Sequence, residues 1–260
     1  MVGGGFQHSI STNDLEPKYI EWVKDGSAPI SIHIDNGLRF PINPNTKNYG
    51  WLSESKTIIP LQYKWCLQNI NFLKNNFIKV FTHDVELSKT SDIFQLTHAS
   101  TKSFLPHGEI YPKTKLVSMI ASNKTLCEEH RFRQKMIKKY SNKCDHFGRG
   151  YNFLKNKEDG LKDYCFSFAI ENGTYPNMVS EKITDCFMTG TIPIYYGINN
   201  IGDYFNTDGI IILDDNFKIE DLSFELYYSK MDAVIDNFKR SIDFPLAEDY
   251  IFKTFIEDNK

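Results

Sequence analysis

Short apolar runs recur along the second half of the chain, with more polar segments of helical length between them. Runs of four to eight apolar residues bounded by turns are typical of buried strands. We predict strands over 115–121, 165–170, 192–196 and 209–213, and helices over 128–140 and about 180–189. Strands that alternate with helices build a parallel sheet, which binds ligands beyond the carboxyl ends of its strands. The second half is therefore predicted to be a parallel α/β domain.

The first half has a weaker form of the same alternation. Residues 29–34 alternate apolar and polar side chains and stop at Asp35-Asn36-Gly37, which predicts a strand that leaves the core for a turn. A second strand is predicted over 77–82, and a helix over 62–76 lies between the two. This order indicates another parallel α/β unit.

A stretch rich in turn residues, 88–114, separates the two halves and places the domain boundary near residue 112. We therefore expect an N-terminal domain over 1–112 and a C-terminal domain over 113–260. Beyond the last predicted strand, helices are expected over 224–242 and 247–255.

Composition narrows the class of protein. The 260 residues are 41% apolar and 24% charged, as in a folded globular chain, and the net charge of −3 offers no basic surface for nucleic acid. The longest apolar run, 209–213, is too short to span a membrane, and the N-terminus lacks the features of a secretory signal. We expect a cytoplasmic protein without a transmembrane segment. Its five cysteines are odd in number and form no CxxC pair, which favours reduced thiols.

The segment with the most chemistry is 166–197. Glu171 and Asn172 come directly after a predicted strand, where the chain turns. Ser180 can then cap a helix whose first turn contains Glu181 and Lys182. The N-terminus of a helix offers unpaired N–H groups and a positive dipole end, which favour bound phosphate, and Lys182 adds a full positive charge.

Two glycines mark the ends of the next elements. Gly190 is predicted to end the helix, and Gly197 to allow a tight turn after the following strand. Pro193 is best placed near the start of that strand.

The segment FSFAIENGTYPNMVSEKITDCFMTGTIPIYYG, residues 166–197, resembles the donor-binding segment of the family 10 fucosyltransferases. A second similarity lies upstream, in the order Ser122-Asn123, then Arg133, then Asp145-x-x-Gly148. The resemblance implies an α/β fold of GT-B type, with two Rossmann-like domains whose parallel sheets face a central cleft. It also implies an inverting transfer, with a nucleoside-diphosphate sugar bound by the C-terminal domain and the acceptor by the N-terminal one.

The resemblance assigns roles to individual residues. Arg133 and Lys182 would neutralise the pyrophosphate, and Asn172 and Asn123 would hold the donor or its loop. Glu181 would contact ribose or sugar hydroxyls and, as a catalytic residue, interact with the positive charge that develops at the anomeric carbon. Each has a plainer alternative: an ordinary charged first turn for Glu181 and Lys182, a surface arginine for Arg133, and a left-handed turn residue for Asn172. The sequence departs from the family at Met178, three residues before the glutamate, where the family often has tyrosine.

An inverting transfer needs a base that takes the proton of the acceptor hydroxyl. Carboxylates or histidines at predicted strand ends or loops of the first half are the candidates: Glu54, Asp84, Glu86 and His8. Glu54 is the preferred one, although a purely structural role is the plainer interpretation of it.

The predicted function is transfer of a sugar, fucose from GDP-fucose, onto a glycan acceptor hydroxyl. Two alternatives stay open: a GT-B transferase that uses a different nucleotide sugar, as exostosin-like enzymes do, and a catalytically inactive carbohydrate-binding protein. Asp214-Asp215 follows a strand without the Asp-x-Asp spacing of GT-A enzymes, so we interpret it as a solvated turn. No metal or cofactor is expected besides the GDP-sugar, and a divalent ion is not essential.

Overall fold

The computed structural model of the protein describes residues 17–23, 27–40, 42–98, 103–105 and 107–257. The strands in chain order are β1 (Ile30–Ile34), β2 (Lys47–Leu52), β3 (Val80–Thr82), β4 (Phe94–Leu96), β5 (Lys115–Ile120), β6 (Asp145–Phe147), β7 (Tyr164–Ile170), β8 (Ile192–Tyr196) and β9 (Ile211–Ile212). The helices are α1 (Pro60–Gln68), α2 (Ile70–Asn76), α3 (Val85–Ser88), α4 (Glu128–Lys139), α5 (Glu181–Met188), α6 (Phe224–Ser229), α7 (Met231–Asp243) and α8 (Ala247–Ile251).

The chain packs into two compact units. The first contains the described residues before 102, the segment Tyr175–Val179 and the described residues after 244; the second contains the rest. The division at residue 112 stays a prediction, while the compact units change over earlier and the chain returns to the first unit at its end.

The first unit is built on a four-stranded sheet in the order β1-β2-β3-β4, and all its strands are parallel. The predicted α/β class and parallel pairing are therefore confirmed for this half. One face of the sheet packs against α8 and the π-helical segment Phe252–Ile256, through contacts such as Phe81 with Phe255.

Three features of the first unit differ from expectation. The helix predicted over 62–76 is two helices, because Asn69 directs its amide to the carbonyl of Trp65 (2.8 Å) and leaves the helical conformation. Strand β2 was not predicted, since its sequence KNYGWL begins with two polar residues and contains a glycine, and so shows neither a continuous apolar run nor a regular alternation. Strand β4 lies inside the stretch that turn residues had marked as a loop.

The second unit is built on a five-stranded parallel sheet in the order β6-β5-β7-β8-β9. The chain moves from β5 to β6 on one side and then crosses to β7 on the other. Ligands bind at such a switch point, beyond the carboxyl ends of the strands. The predicted parallel α/β domain of the second half is confirmed.

Details of the second unit depart from the predicted bounds. The helix expected over 224–242 is divided at Lys230 into α6 and α7, and the strand expected over 209–213 is the two-residue edge strand β9. Strand β6 was missed because three residues are too few to form a pattern.

The C-terminal end of α5 is fixed by a glycine and by a buried lysine. Gly190 has a positive φ of 68°, as predicted for a glycine that ends a helix. The buried ammonium group of Lys113 donates to the carbonyls of Thr189 (2.7 Å) and Lys162 (2.9 Å), and burial lowers the pKa of this lysine to about 8. Lys113 therefore joins Thr189, directly after the last turn of α5, to the loop before β7 that contains Lys162.

Two further observations concern the part of the chain that the structure describes. None of its helices has an apolar stretch as long as a bilayer-spanning segment. All five cysteines have unpaired thiols.

Candidate functional site

A cavity of about 290 Å³ lies in the second unit, at the carboxyl ends of β5, β6 and β7. This is the switch point of the sheet. Its apolar wall includes Met119 and Phe168. The charged side chains that line it are Arg133, Arg149, Lys157, Glu181 and Lys182. Four cations against one carboxylate make the lining strongly suited to an anionic ligand.

The N-terminal end of α5 forms one wall of this cavity. Ser180 caps the helix as predicted, since its hydroxyl accepts a hydrogen bond from the backbone N–H of Lys182 (3.3 Å). The same hydroxyl donates to the Glu171 carboxylate at 2.5 Å. The Nζ atom of Lys182 lies 3.4 Å from that carboxylate and 3.6 Å from Glu181. The positive end of the helix and a lysine ammonium therefore meet at one point.

Arg133 reaches the cavity from α4. It is 7% exposed, so the alternative of a surface arginine is wrong. Its Nη2 donates to the carbonyl of Ile170 (2.9 Å) and to Oδ1 of Asn172 (2.8 Å). Burial lowers the pKa of Arg133, and the nearby Glu171 carboxylate opposes this shift. The guanidinium is fixed against the end of β7 while it lines the cavity.

Asn172 is held by two donors. His130 accepts the N–H of Leu126 at its Nδ1 (3.2 Å), so its Nε2 carries the proton and donates to Oδ1 of Asn172 (3.2 Å). Burial and the charge of Arg133 lower the pKa of His130 and favour this neutral form. Asn172 does not have a positive φ, so its interpretation as a left-handed turn residue is wrong. Because Oδ1 takes both donors, the amide nitrogen is directed away from Arg133.

Glu171 is the residue whose role the sequence did not indicate. It is fully buried, and burial raises the pKa of its carboxyl while Lys182 and Ser180 lower it. It joins the end of β7 to the first turn of α5. Its position directly after a seven-residue buried strand is the signal that could have revealed it.

Gly197 is required for a reason other than the predicted one. Its φ is ordinary, but a Cβ there would lie 2.3 Å from the Tyr195 hydroxyl and 2.7 Å from Cγ of Glu171. The glycine therefore provides space beside the buried glutamate rather than a special turn.

Arg149 and Lys157 are cavity residues that sequence reasoning missed. Arg149 lies between Gly148 and Gly150, which both have positive φ values, 109° and 95°. A Cβ at Gly148 would lie 2.2 Å from the Ala121 carbonyl oxygen. The Gly148-Arg149-Gly150 sequence, in which two glycines flank one charged residue, was the available signal.

Glu181 and Asn123, the other residues predicted to contact the nucleotide-sugar, lie in different surroundings. Glu181 lines the cavity and is partly buried, with its side chain 17% exposed. Asn123 is exposed: its backbone N–H donates to the Arg149 carbonyl (3.0 Å), and its side chain lies against Gly150. Asn123 does not line the cavity itself. The structure thus brings together Arg133, Glu181 and Lys182, with Asn172 bound to Arg133.

The candidate bases belong to the first unit. Glu54 follows β2, is partly buried, and accepts the Tyr63 hydroxyl at its backbone carbonyl (3.0 Å). Asp84 caps α3 by accepting the N–H of Leu87 (2.9 Å). Glu86 has a side chain 80% exposed and is paired with Lys89. His8 lies outside the described residues.

Residues considered for other roles are also placed. Asp214 and Asp215 are exposed, and Asp214 accepts the backbone N–H of Asn216 (2.9 Å), which confirms the solvated turn. Met178 is buried. Within the described ranges, no three His, Cys, Asp or Glu side chains cluster as metal ligands would.

A parallel α/β unit with a cationic cavity at its switch point and a helix N-terminus in the wall has the form of a nucleotide-binding domain. Residues 110–238 match the family model described as glycosyltransferase family 10 (fucosyltransferase) C-term. This part of the chain belongs to glycosyltransferase family 10, and the resemblance found in the sequence is confirmed.

The chain is also similar to individual proteins over stretches of different length. An alpha-(1,3)-fucosyltransferase FucT of Helicobacter pylori is 38% identical over 66 residues, which are 25% of this chain and 14% of that relative. An alpha1,3-fucosyltransferase crystallised with GDP-fucose has 17% identity and a TM-score of 0.42, over 77% of this chain and 66% of its own. One crystallised with GDP has 16% identity and a TM-score of 0.49, over 93% of this chain and 94% of its own.

Proposed function

We propose that the protein is an inverting glycosyltransferase that moves fucose from GDP-fucose onto a hydroxyl group of a glycan acceptor. The observation that carries this proposal is the cavity at the switch point of the second sheet, where four cationic side chains and the α5 N-terminus converge within the family 10 segment. The relative that is 38% identical is an alpha-(1,3)-fucosyltransferase, which supports fucose as the sugar.

The pyrophosphate of the donor fits the charged end of this cavity. Lys182 and Arg133 bind its oxygens through charge-assisted hydrogen bonds, and the first N–H groups of α5 add dipolar stabilisation. Lys182 starts from contacts of 3.4 and 3.6 Å with Glu171 and Glu181, so its ammonium is already placed at the helix end. These cations carry the charge of the leaving GDP, and we propose that transfer therefore proceeds without a divalent ion.

Glu181 accepts hydrogen bonds from hydroxyls of the ribose or of the fucose. Its carboxylate lies in the wall of the cavity beside two lysines, so its orientation is restricted before the donor arrives. A carboxylate near the anomeric carbon also stabilises the positive charge that develops there.

The transfer forms one bond and breaks one. The acceptor oxygen bonds to the anomeric carbon on the face opposite to GDP, the bond between that carbon and the phosphate oxygen breaks, and GDP leaves with the electron pair. The proton of the acceptor hydroxyl goes to a base. We propose Glu54 for this role, because it follows a strand of the first sheet and is partly buried rather than fully solvated.

The test is turnover on a panel of GDP-, UDP- and CMP-sugars with a glycan array as acceptor, with and without EDTA. The proposal expects transfer from GDP-fucose in both conditions, and loss of transfer in Glu54→Gln with donor binding retained. Transfer from another nucleotide sugar alone would support the exostosin-like alternative. Nucleotide binding without transfer to any glycan would support a carbohydrate-binding protein.

A further inference from the structure

Lys157 lies in a 3-10 turn, Lys157–Gly160, between β6 and β7, and its side chain reaches the wall of the cavity. Its ammonium group forms an ion pair with Asp185 and lies 3.8 Å from the carboxylate of Glu181. Burial alone would lower the pKa of Lys157, but the two carboxylates outweigh this effect and the net shift is upward. The ammonium is therefore charged and bound on the α5 side of the cavity.

Asp185 gives this lysine a rigid attachment point. Its side chain is fully buried, and its Oδ1 accepts hydrogen bonds from the hydroxyl of Ser103 (2.5 Å) and the backbone N–H of Phe104 (2.8 Å). The Phe104 ring lies 5.3 Å from the Lys157 ammonium and restricts it from another side. The position of Lys157 is thus determined by groups that a donor in the cavity does not need to contact.

Glu181 and Asp185 are four residues apart on α5, so their carboxylates lie on the same face of the helix and repel each other. Lys157 lies between them and removes that repulsion. On its other side, Glu181 lies 3.6 Å from the Lys182 ammonium. The Glu181 carboxylate is therefore held between two cations, one of which is fixed by a buried aspartate.

We infer that Lys157 is a positioning residue for donor turnover: anchored on Asp185, it holds the Glu181 carboxylate in the cavity wall in the orientation that the donor requires. The inference rests on the proposed function for the role of Glu181. It assigns Lys157 an action through Glu181, in contrast to Lys182 and Arg133, which contact the donor phosphates directly.

The first test compares Lys157→Met, which keeps the length of the side chain and removes its charge, with Lys157→Arg, which keeps the charge. Lys155→Ala is the matched control, because Lys155 is exposed two residues away in the same loop. Steady-state kinetics with GDP-fucose should show that Lys157→Met lowers turnover by about 10- to 100-fold, the range that misplacement of a catalytic group produces. Lys157→Arg should recover most of this loss, and Lys155→Ala should equal the parent.

The second test asks whether Lys157 acts through Glu181. If it does, Lys157→Met and Glu181→Gln should change the same kinetic parameter, and the double variant should be no worse than the more impaired single variant. Effects that multiply in the double variant would overturn the inference. So would a Lys157→Met enzyme with the kinetics of the parent.

Lys157→Met leaves the buried Asp185 without its cation, so the variant can fail to fold. A second comparison is therefore made in the Asp185→Asn background, between this single variant and the double variant that also has Lys157→Met. Asparagine removes the buried charge and keeps the Oδ1 acceptor for Ser103 and Phe104. Because Lys157 has lost its anchor in this background, the lysine effect on turnover should be smaller between these two proteins than between the parent and Lys157→Met. A lysine effect of full size would show that Lys157 acts without Asp185 and would overturn the inference.

If the proposed function is wrong, the parent protein itself will turn over no donor on the panel. The coupling between Lys157 and Glu181 is then measured on GDP affinity instead of turnover. Independent effects of Lys157→Met and Glu181→Gln on that affinity would overturn the role of Lys157, whereas non-additive effects would support it.

Discussion

Arg133 Nη2 donates a 2.8 Å hydrogen bond to Oδ1 of Asn172, and a second bond of 2.9 Å to the carbonyl of Ile170. A buried arginine on α4 thereby fixes the point where β7 ends and the loop toward α5 begins. The guanidinium has a structural role and a place in the cavity, because it donates hydrogen bonds to this loop and also lines the proposed phosphate site.

Replacement of Arg133 by alanine should therefore lower nucleotide affinity and stability together. Loss of charge-assisted hydrogen bonds costs about 1.5–3 kcal/mol of binding, and the Ile170 carbonyl and the Asn172 amide oxygen each lose a donor. Arg131→Ala, two residues away on the exposed face of α4, should change the free energy of unfolding by less than about 0.5 kcal/mol. Urea unfolding and GDP titration measure both quantities. Equal behaviour of the two variants would show that Arg133 has no special role.

Stability should decrease as the pH falls below neutrality. Burial lowers the pKa of His83 and of His98 to about 4, from 6.5 in the unfolded chain. Between these values the unfolded state binds protons that the folded state does not, so stability present above pH 6.5 is lost toward pH 4. Each histidine contributes up to about 1.4 kcal/mol per pH unit in this window. The buried carboxyl of Glu171, whose pKa is raised, acts in the opposite direction.

Urea unfolding at pH 7.5, 6.5, 5.5 and 4.5 measures this dependence. His98→Phe keeps an aromatic ring against Tyr250, whose ring centre lies 3.9 Å away, and removes one titrating group. The slope for this variant should be smaller than that of the parent. A parent protein with constant stability from pH 7.5 to 4.5 would contradict the assigned shifts.

Gly197→Ala should destabilise the second unit and disturb the site. The new methyl group would overlap the buried Tyr195 hydroxyl and the side chain of Glu171, at 2.3 and 2.7 Å. Overpacking of this kind costs about 1–3 kcal/mol. Gly202→Ala is the control, since Gly202 is exposed and its nearest neighbour would be a Thr207 methyl group at 3.3 Å. Thermal unfolding that does not distinguish the two variants would show that the space beside Glu171 is not required.

The sequence predicted the structure best at positions where local rules and tertiary packing favour the same conformation. Ser180 caps α5 and Gly190 ends it, because both act through backbone groups within one turn. The long apolar strand β7 was also recognisable, since it is buried along its whole length. The family resemblance added Arg133, which helix pattern alone would have left on the surface.

What the sequence did not reveal depends on contacts between distant residues. Lys157 belongs to an irregular loop and acquires its surroundings only when that loop meets Asp185 on α5. Glu171 was visible as a strand-end residue, but its burial arises from Tyr195, Gly197 and Ser180 converging on it in space. Strand β2 was overlooked because its sequence KNYGWL begins with two polar residues and contains Gly50, so it has neither a continuous apolar run like that of β7 nor a regular alternation.

The most direct test of the account is calorimetric titration of GDP into the parent protein and into Lys182→Ala, with Lys135→Ala on the exposed face of α4 as the control. GDP should bind the parent and the control equally, and Lys182→Ala about 10- to 150-fold more weakly, as the loss of a charged hydrogen bond of about 1.5–3 kcal/mol requires. Absence of GDP binding, or equal GDP affinity in all three proteins, would contradict a nucleotide-sugar site at the N-terminus of α5.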